Sequence, residues 1–146
     1  MQHVGPSLPP PPSPSPPARA SALRAGLIGL AAVQLVLGLF LLLAPGAFYD
    51  AIANFGPENH HDLRDMAAFY LASGIVLTVA VGRPSWRAPA LAVVGLQFAL
   101  HALNHLLDVG DGEPGWIGPF DALSLAAGAL LIGGLYRAAT RAERGR

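Results

Sequence analysis

The apolar and polar positions of this chain are blocked rather than interleaved. Four long apolar runs stand out: "LRAGLIGLAAVQLVLGLFLLLAP", "DMAAFYLASGIVLTVAVG", "APALAVVGLQFALHALNHLLD" and "PFDALSLAAGALLIGGLY". They cover about Leu23–Ala44, Asp65–Gly82, Ala88–Asp108 and Pro119–Tyr136, with short stretches rich in Pro, Gly and charge between them. A bilayer-crossing helix needs about 20 mostly apolar residues, and about 17 suffice. Each run is long enough, so the pattern predicts four membrane-spanning α-helices. Pro45 closes the first run and Arg83-Pro84 the second, because proline lacks the backbone donor a helix interior requires. The first run exceeds the roughly 7–15 apolar residues of a cleaved signal, and the "APGA" that follows is a poor cleavage site, so it reads as a retained span.

Ahead of the first run, residues 1–18 hold eight prolines. Such a run favours extended polyproline II and can build neither a helix nor a core. The chain thus divides into a disordered Pro-rich tail (1–22), a four-span bundle (23–137) and a short basic tail (138–146). A ligand for a proline-reading partner is the lesser reading of the first of these.

Composition sharpens the picture. The 146 residues are 53% hydrophobic and only 12% charged, and there is no cysteine, which removes disulfides, thiolate metal sites and thiol catalysis. The formal net charge of zero conceals a strict segregation. With the amino terminus inside, eight of the nine arginines (all but Arg64) flank the cytoplasmic ends of the spans. Eight of the nine acids, Asp50, Glu58, Asp62, Asp65, Asp108, Asp111, Glu113 and Asp121, fall on the other side. By the positive-inside rule both termini are cytoplasmic. The expected fold is an all-α, four-helix integral membrane bundle, a multi-pass protein whose first partner is the lipid bilayer. Nothing favours nucleic acid: the terminal "RAATRAERGR" reads as a topology anchor beside anionic lipid.

Two stretches carry chemistry. In "ENHHDLRD", residues 58–65, six of eight side chains can bear charge. In the third run Gln97, His101, His105 and Asp108 follow one another at i, i+4, i+8 and i+11, one face of a helix, with Asn104 beside them. His101 should lie roughly 10 Å below Asp108, inside the hydrocarbon layer, where an ionisable group needs partners. His61 and Asp65 share a face of the second helix, whose amino end is at the same membrane surface. The two stretches are therefore expected to meet in a polar pocket at the acidic end.

Part of this has a plain structural explanation. Asn59 is a good N-cap, Asp62 falls at the third helical position, and first-turn carboxylates suit the helix dipole. Arg64 can pair with Asp65, Asp108 or Asp121. Trp86, Trp116 and Tyr136 sit where interfacial anchors belong. The His101/His105 pair goes further, since His-x3-His presents two imidazoles to one cation if a facing helix adds ligands. "HALNH" lacks the glutamate of a zincin motif.

Three readings stay open. One is a site for a metal ion or a small ligand, the metal held by His61, Asp65, His101 and His105, surrounded by Asp62, Arg64, Asn104, Asp108 and Gln97, and suited to zinc, copper, nickel or non-haem iron. Another is a b-type haem held by His101 and a second-helix histidine. The last is an accessory or scaffold subunit of a membrane complex, or a homo-oligomer, whose polar cluster only locks the helices in register. No catalytic motif is present.

The form N-x-H-x-x-R-D, here Asn59 to Asp65 with His61 at the histidine position, together with the H-x-x-x-H of His101 and His105, resembles motifs of small four-helix actinobacterial membrane proteins. These are similar to the broad DoxX-like group and to neighbouring families of unknown function. The resemblance spans about residues 23–137. It implies a four-span bundle in the bacterial cytoplasmic membrane and implies no particular activity.

Overall fold

The computed structural model describes residues 16–145. It contains α1 (Pro16–Leu43), α2 (Pro45–Ala51), α3 (His60–Gly82), α4 (Pro84–Leu107) and α5 (Ile117–Arg144). The four long helices are each long and apolar enough to cross a membrane. They alternate in direction. The start of α1, the tight α3–α4 turn and the end of α5 therefore share an arginine-rich end, while α2 and the two longer loops share an acid-rich end.

Contacts run α1–α3–α4–α5 and back to α1, so α1 and α4 stand on one diagonal and α3 and α5 on the other. The tightest seams are α1 against α3 and α4 against α5. In the first, two glycines remove the side chains that would hold the backbones apart. A methyl placed on Gly38 would lie 3.0 Å from the Leu71 nitrogen, and one on Gly74 would lie 3.1 Å from that of Leu35. Close backbone approach over small residues is how membrane helices gain packing when lipid is as apolar as leucine.

Two apolar clusters fill the bundle. One, at the arginine-rich half, gathers Leu27, Leu77, Leu91, Val94, Phe98 and Ile132. The other, nearer the acid-rich end, gathers Leu41, Phe48, Leu63, Ala67 and Tyr70. Elsewhere the long apolar side chains point outward: Leu43, Leu107, Leu123 and Leu130 are each more than 70% exposed. Only 28–33% of each span's apolar window is buried. A water-soluble bundle rarely leaves apolar patches beyond a few hundred Å² in contact with solvent; these faces meet lipid.

Several boundaries differ from the sequence reading. Helix α1 begins at Pro16 rather than Leu23, because proline is compatible with a first turn and "ARASALRA" is rich in helix formers. Residues 16–22, expected within the tail, are thus helical, while residues 1–15 of that tail lie outside the described residues. Helix α5 likewise runs through most of the expected basic tail, to Arg144. Pro45 ends α1 and also opens the short α2, whose Phe48 packs edge-on against Phe40 at 5.3 Å. Pro84 opens α4 at once, and α4 accommodates Pro89 in its interior. The α3–α4 turn is closed by Arg87, whose Nε and Nη2 donate to the Ala80 and Val81 carbonyls, both at 3.1 Å. Those carbonyls have no intrahelical donor at a helix end.

Candidate functional site

The acid-rich end is built from local structure first. Asn59 caps α3: its Oδ1 accepts from the His61 nitrogen at 3.0 Å and the Asp62 nitrogen at 3.5 Å. Its Nδ2 in turn donates to Asp62 Oδ2 at 2.7 Å, so cap and third residue hold each other. His60 is engaged by Glu58 at 2.6 Å, an exposed pair. His61 Nε2 lies 3.6 Å from Asp65 Oδ2, one helical turn on, and both side chains are more than 70% exposed. Arg64 is exposed and makes no ion pair among the described residues.

His101 and His105 meet on α4. Their Nε2 atoms are 3.1 Å apart and their rings 4.8 Å apart, tilted by 40°. With both rings neutral, one Nε2 donates and the other accepts, which puts the two histidines in opposite tautomers. Either way, the Nδ1 of His105 is buried without a partner.

Two loops close over this pair. The α2–α3 and α4–α5 loops are joined by an antiparallel bridge between Phe55 and Gly112, and the Glu113 nitrogen donates to the Asn54 carbonyl at 3.0 Å. The Tyr49 hydroxyl donates to the Gly56 carbonyl and braces the first loop. As a result the Phe55 ring stands edge-on to His105 at 4.8 Å. Beneath Phe55 is a cavity of about 230 Å³, and Tyr49, Asp62, Asn104, His105 and Asp108 line it. That is below the roughly 300–1,000 Å³ of sites for drug-sized ligands. It suits an ion with part of its hydration shell, or a very small molecule.

Below the histidines lies a layer of polar side chains. Gln34 on α1 is fully buried with neither amide atom partnered, and the Gln97 Oε1 on α4 is also unpartnered. Tyr70 of α3 sits beside Gln97, and α5 contributes a buried acid, Asp121. At about 1.5 Å per residue, Gln34, Tyr70 and Gln97 are all roughly 14–15 Å from the acid-rich ends of their helices.

Among the expected site residues, then, His101 and His105 come together, and Asp62, Asn104 and Asp108 join His105 around the cavity. His61 and Asp65 pair with each other on the exposed side of α3 and do not line the cavity. Among the described residues no three His, Asp or Glu side chains gather at metal-ligand spacing. Phe55, Tyr49 and Tyr70 enter the site without having been singled out for it. Phe55 had one usable signal: it is the aromatic in a loop otherwise made of small and polar residues, "ANFGPEN".

A family model described as "Domain of unknown function (DUF4345)" matches residues 22–120, most of the chain. The chain belongs to the DUF4345 family. The match covers α2, α3, α4 and nearly all of α1, and ends at Phe120, so Asp121 and the rest of α5 lie beyond it. No curated protein and no solved structure matches the chain.

Proposed function

We propose that this DUF4345 protein is a multi-pass membrane protein of the bacterial cytoplasmic membrane that binds a transition-metal cation at the acid-rich end, on His101 and His105. One observation carries the reading: the two Nε2 atoms converge at 3.1 Å. For metal–nitrogen bonds of about 2.0–2.1 Å, two ligands at a tetrahedral angle are about 3.3–3.4 Å apart, and at a right angle about 2.8–3.0 Å. The separation lies between these limits, so the two nitrogens are spaced for one cation, which replaces the shared proton once the ring lone pairs turn toward it. The remaining positions fall to water and to a carboxylate of the cavity wall. Asp108 is the nearest in sequence, one turn from His105. Zinc, copper, nickel and iron all accept such a donor set.

A structural reading has its own support: the His101–His105 hydrogen bond is satisfied without metal, and Asn59 and Asp62 are used in capping. On that reading the protein is an accessory subunit of a membrane complex, and its polar layer sets helix register. A b-type haem fits less well, because His60 and His61 are turned to local exposed partners and the cavity is small for a macrocycle.

Elemental mass spectrometry of the detergent-purified protein separates them. The metal reading expects close to one zinc, copper, nickel or iron per chain, lost in His101→Ala/His105→Ala while helicity by circular dichroism is unchanged. A protein that stays metal-free after incubation with each cation, or whose metal survives the double substitution, overturns it.

A further inference from the structure

At the opposite end of the bundle, the geometry points to a binding site for one anionic phospholipid in the cleft between α1 and α5. This cleft of about 620 Å³ has Arg19 and Arg141 at its rim and Leu23, Leu135 and Ala138 in its walls. Among the described residues, no acidic side chain lines it.

The placement follows the polarity of a lipid. On α1, Leu23 is one turn deeper than Arg19 and on the same face, roughly 6 Å nearer the membrane centre. On α5, Leu135 is deeper than Arg141 by about 9 Å. Both helices therefore present cationic groups at headgroup level and apolar surface below it, from the two sides of one cleft. Leu23 is itself 97% buried, so the cleft floor is packed rather than open to water. Arginine suits the role because its planar guanidinium binds phosphate through two parallel donors. Neither Arg19 nor Arg141 is held by a carboxylate among the described residues.

Three other arginines of this end are placed differently. Arg87 is spent on the carbonyls of α3. Arg137 and Arg144 line a separate surface of α5 that also carries Glu143. They give a control in which two charges are removed from the same end of the molecule without altering a residue that lines the cleft.

The test is reconstitution into nanodiscs of equal phosphatidylglycerol and phosphatidylcholine, followed by detergent release and native mass spectrometry of the lipid that stays bound. Because each guanidinium–phosphate bond is charge-assisted and specific to the cleft, Arg19→Gln/Arg141→Gln should lower retained phosphatidylglycerol relative to phosphatidylcholine by about tenfold or more. Arg137→Gln/Arg144→Gln should keep it, and Arg19→Lys/Arg141→Lys, which preserves the charge but not the two parallel donors, should fall between the two Gln pairs. Equal loss in both Gln pairs would mean that the end attracts anionic lipid only through its summed charge, which overturns the cleft. Undiminished preference in Arg19→Gln/Arg141→Gln, or none in the unaltered protein, overturns it too.

Discussion

Glycine-to-alanine substitution at two positions of the same helix tests the packing argument directly. A methyl on Gly38 would sit 2.8 Å from Leu71 Cγ and 3.0 Å from the Leu71 nitrogen, whereas one on Gly29 meets nothing within 4 Å. Both changes gain the helix preference of alanine over glycine, about 1 kcal/mol. At Gly29, on the exposed lipid side, that gain stands alone. At Gly38 the Leu71 side chain can rotate, but its backbone cannot, so α1 and α3 must separate by a few tenths of an ångström. Overpacking of this kind costs about 1–3 kcal/mol, and a wider gap of 0.5–1 Å forfeits a quarter to a half of each contact's dispersion energy. Gly38→Ala should therefore be less stable than Gly29→Ala by about 1–3 kcal/mol, with Gly29→Ala at or slightly above the unaltered protein. Unfolding in mixed micelles of rising dodecyl sulfate fraction, followed by circular dichroism, reads the difference. Equal midpoints for the two variants would refute the close α1–α3 crossing.

Other substitutions reach different parts of the molecule. Asn59→Ala removes the acceptor for two amides at the start of α3 and should cost about 1 kcal/mol. Faster hydrogen exchange confined to His61 and Asp62 is the expected sign, and unchanged exchange there would count against the cap. Arg87→Met keeps the apolar stem but loses two charge-assisted hydrogen bonds to Ala80 and Val81; the expected loss is about 1.5–3 kcal/mol in the same unfolding assay, and a variant as stable as the parent would show those bonds to be immaterial. Phe55→Ala uncovers His105, whose ring it meets edge-on, so diethylpyrocarbonate should modify His105 several-fold faster, whereas an unaltered rate would mean that Phe55 is no lid.

Much of the site could be read along the chain, but not its closure. The Asn59 cap and the place of Asp62 follow from local rules, since a capping side chain reaches only two or three residues ahead, and both appear as expected. The His101–His105 contact also follows from spacing alone, because residues four apart on a helix are neighbours whatever surrounds them. The same rule gives the His61–Asp65 pair. What it cannot give is which way such a pair faces once four helices are assembled. His61 and Asp65 turn outward, while Asp62, from the adjacent face of the same turn, reaches the cavity. Phe55 escapes a local reading for another reason: its position over His105 depends on a bridge to Gly112, far along the chain.

By itself, then, the sequence determined the four spans, the segregation of acids and arginines to opposite ends, the α3 cap and the histidine pair. Each depends on hydrophobic run length, on end charge or on contacts within one helical turn, and all of these are properties of neighbouring residues. Only the tertiary structure decided the ring order of the helices, the pairing of Gly38 and Gly74 with the opposite backbones, the meeting of Tyr70 with Gln97, and the α1–α5 cleft. These depend on rotation of one helix about its axis against another. That rotation is set by the sum of many weak packing contacts across seams that no single stretch of sequence contains.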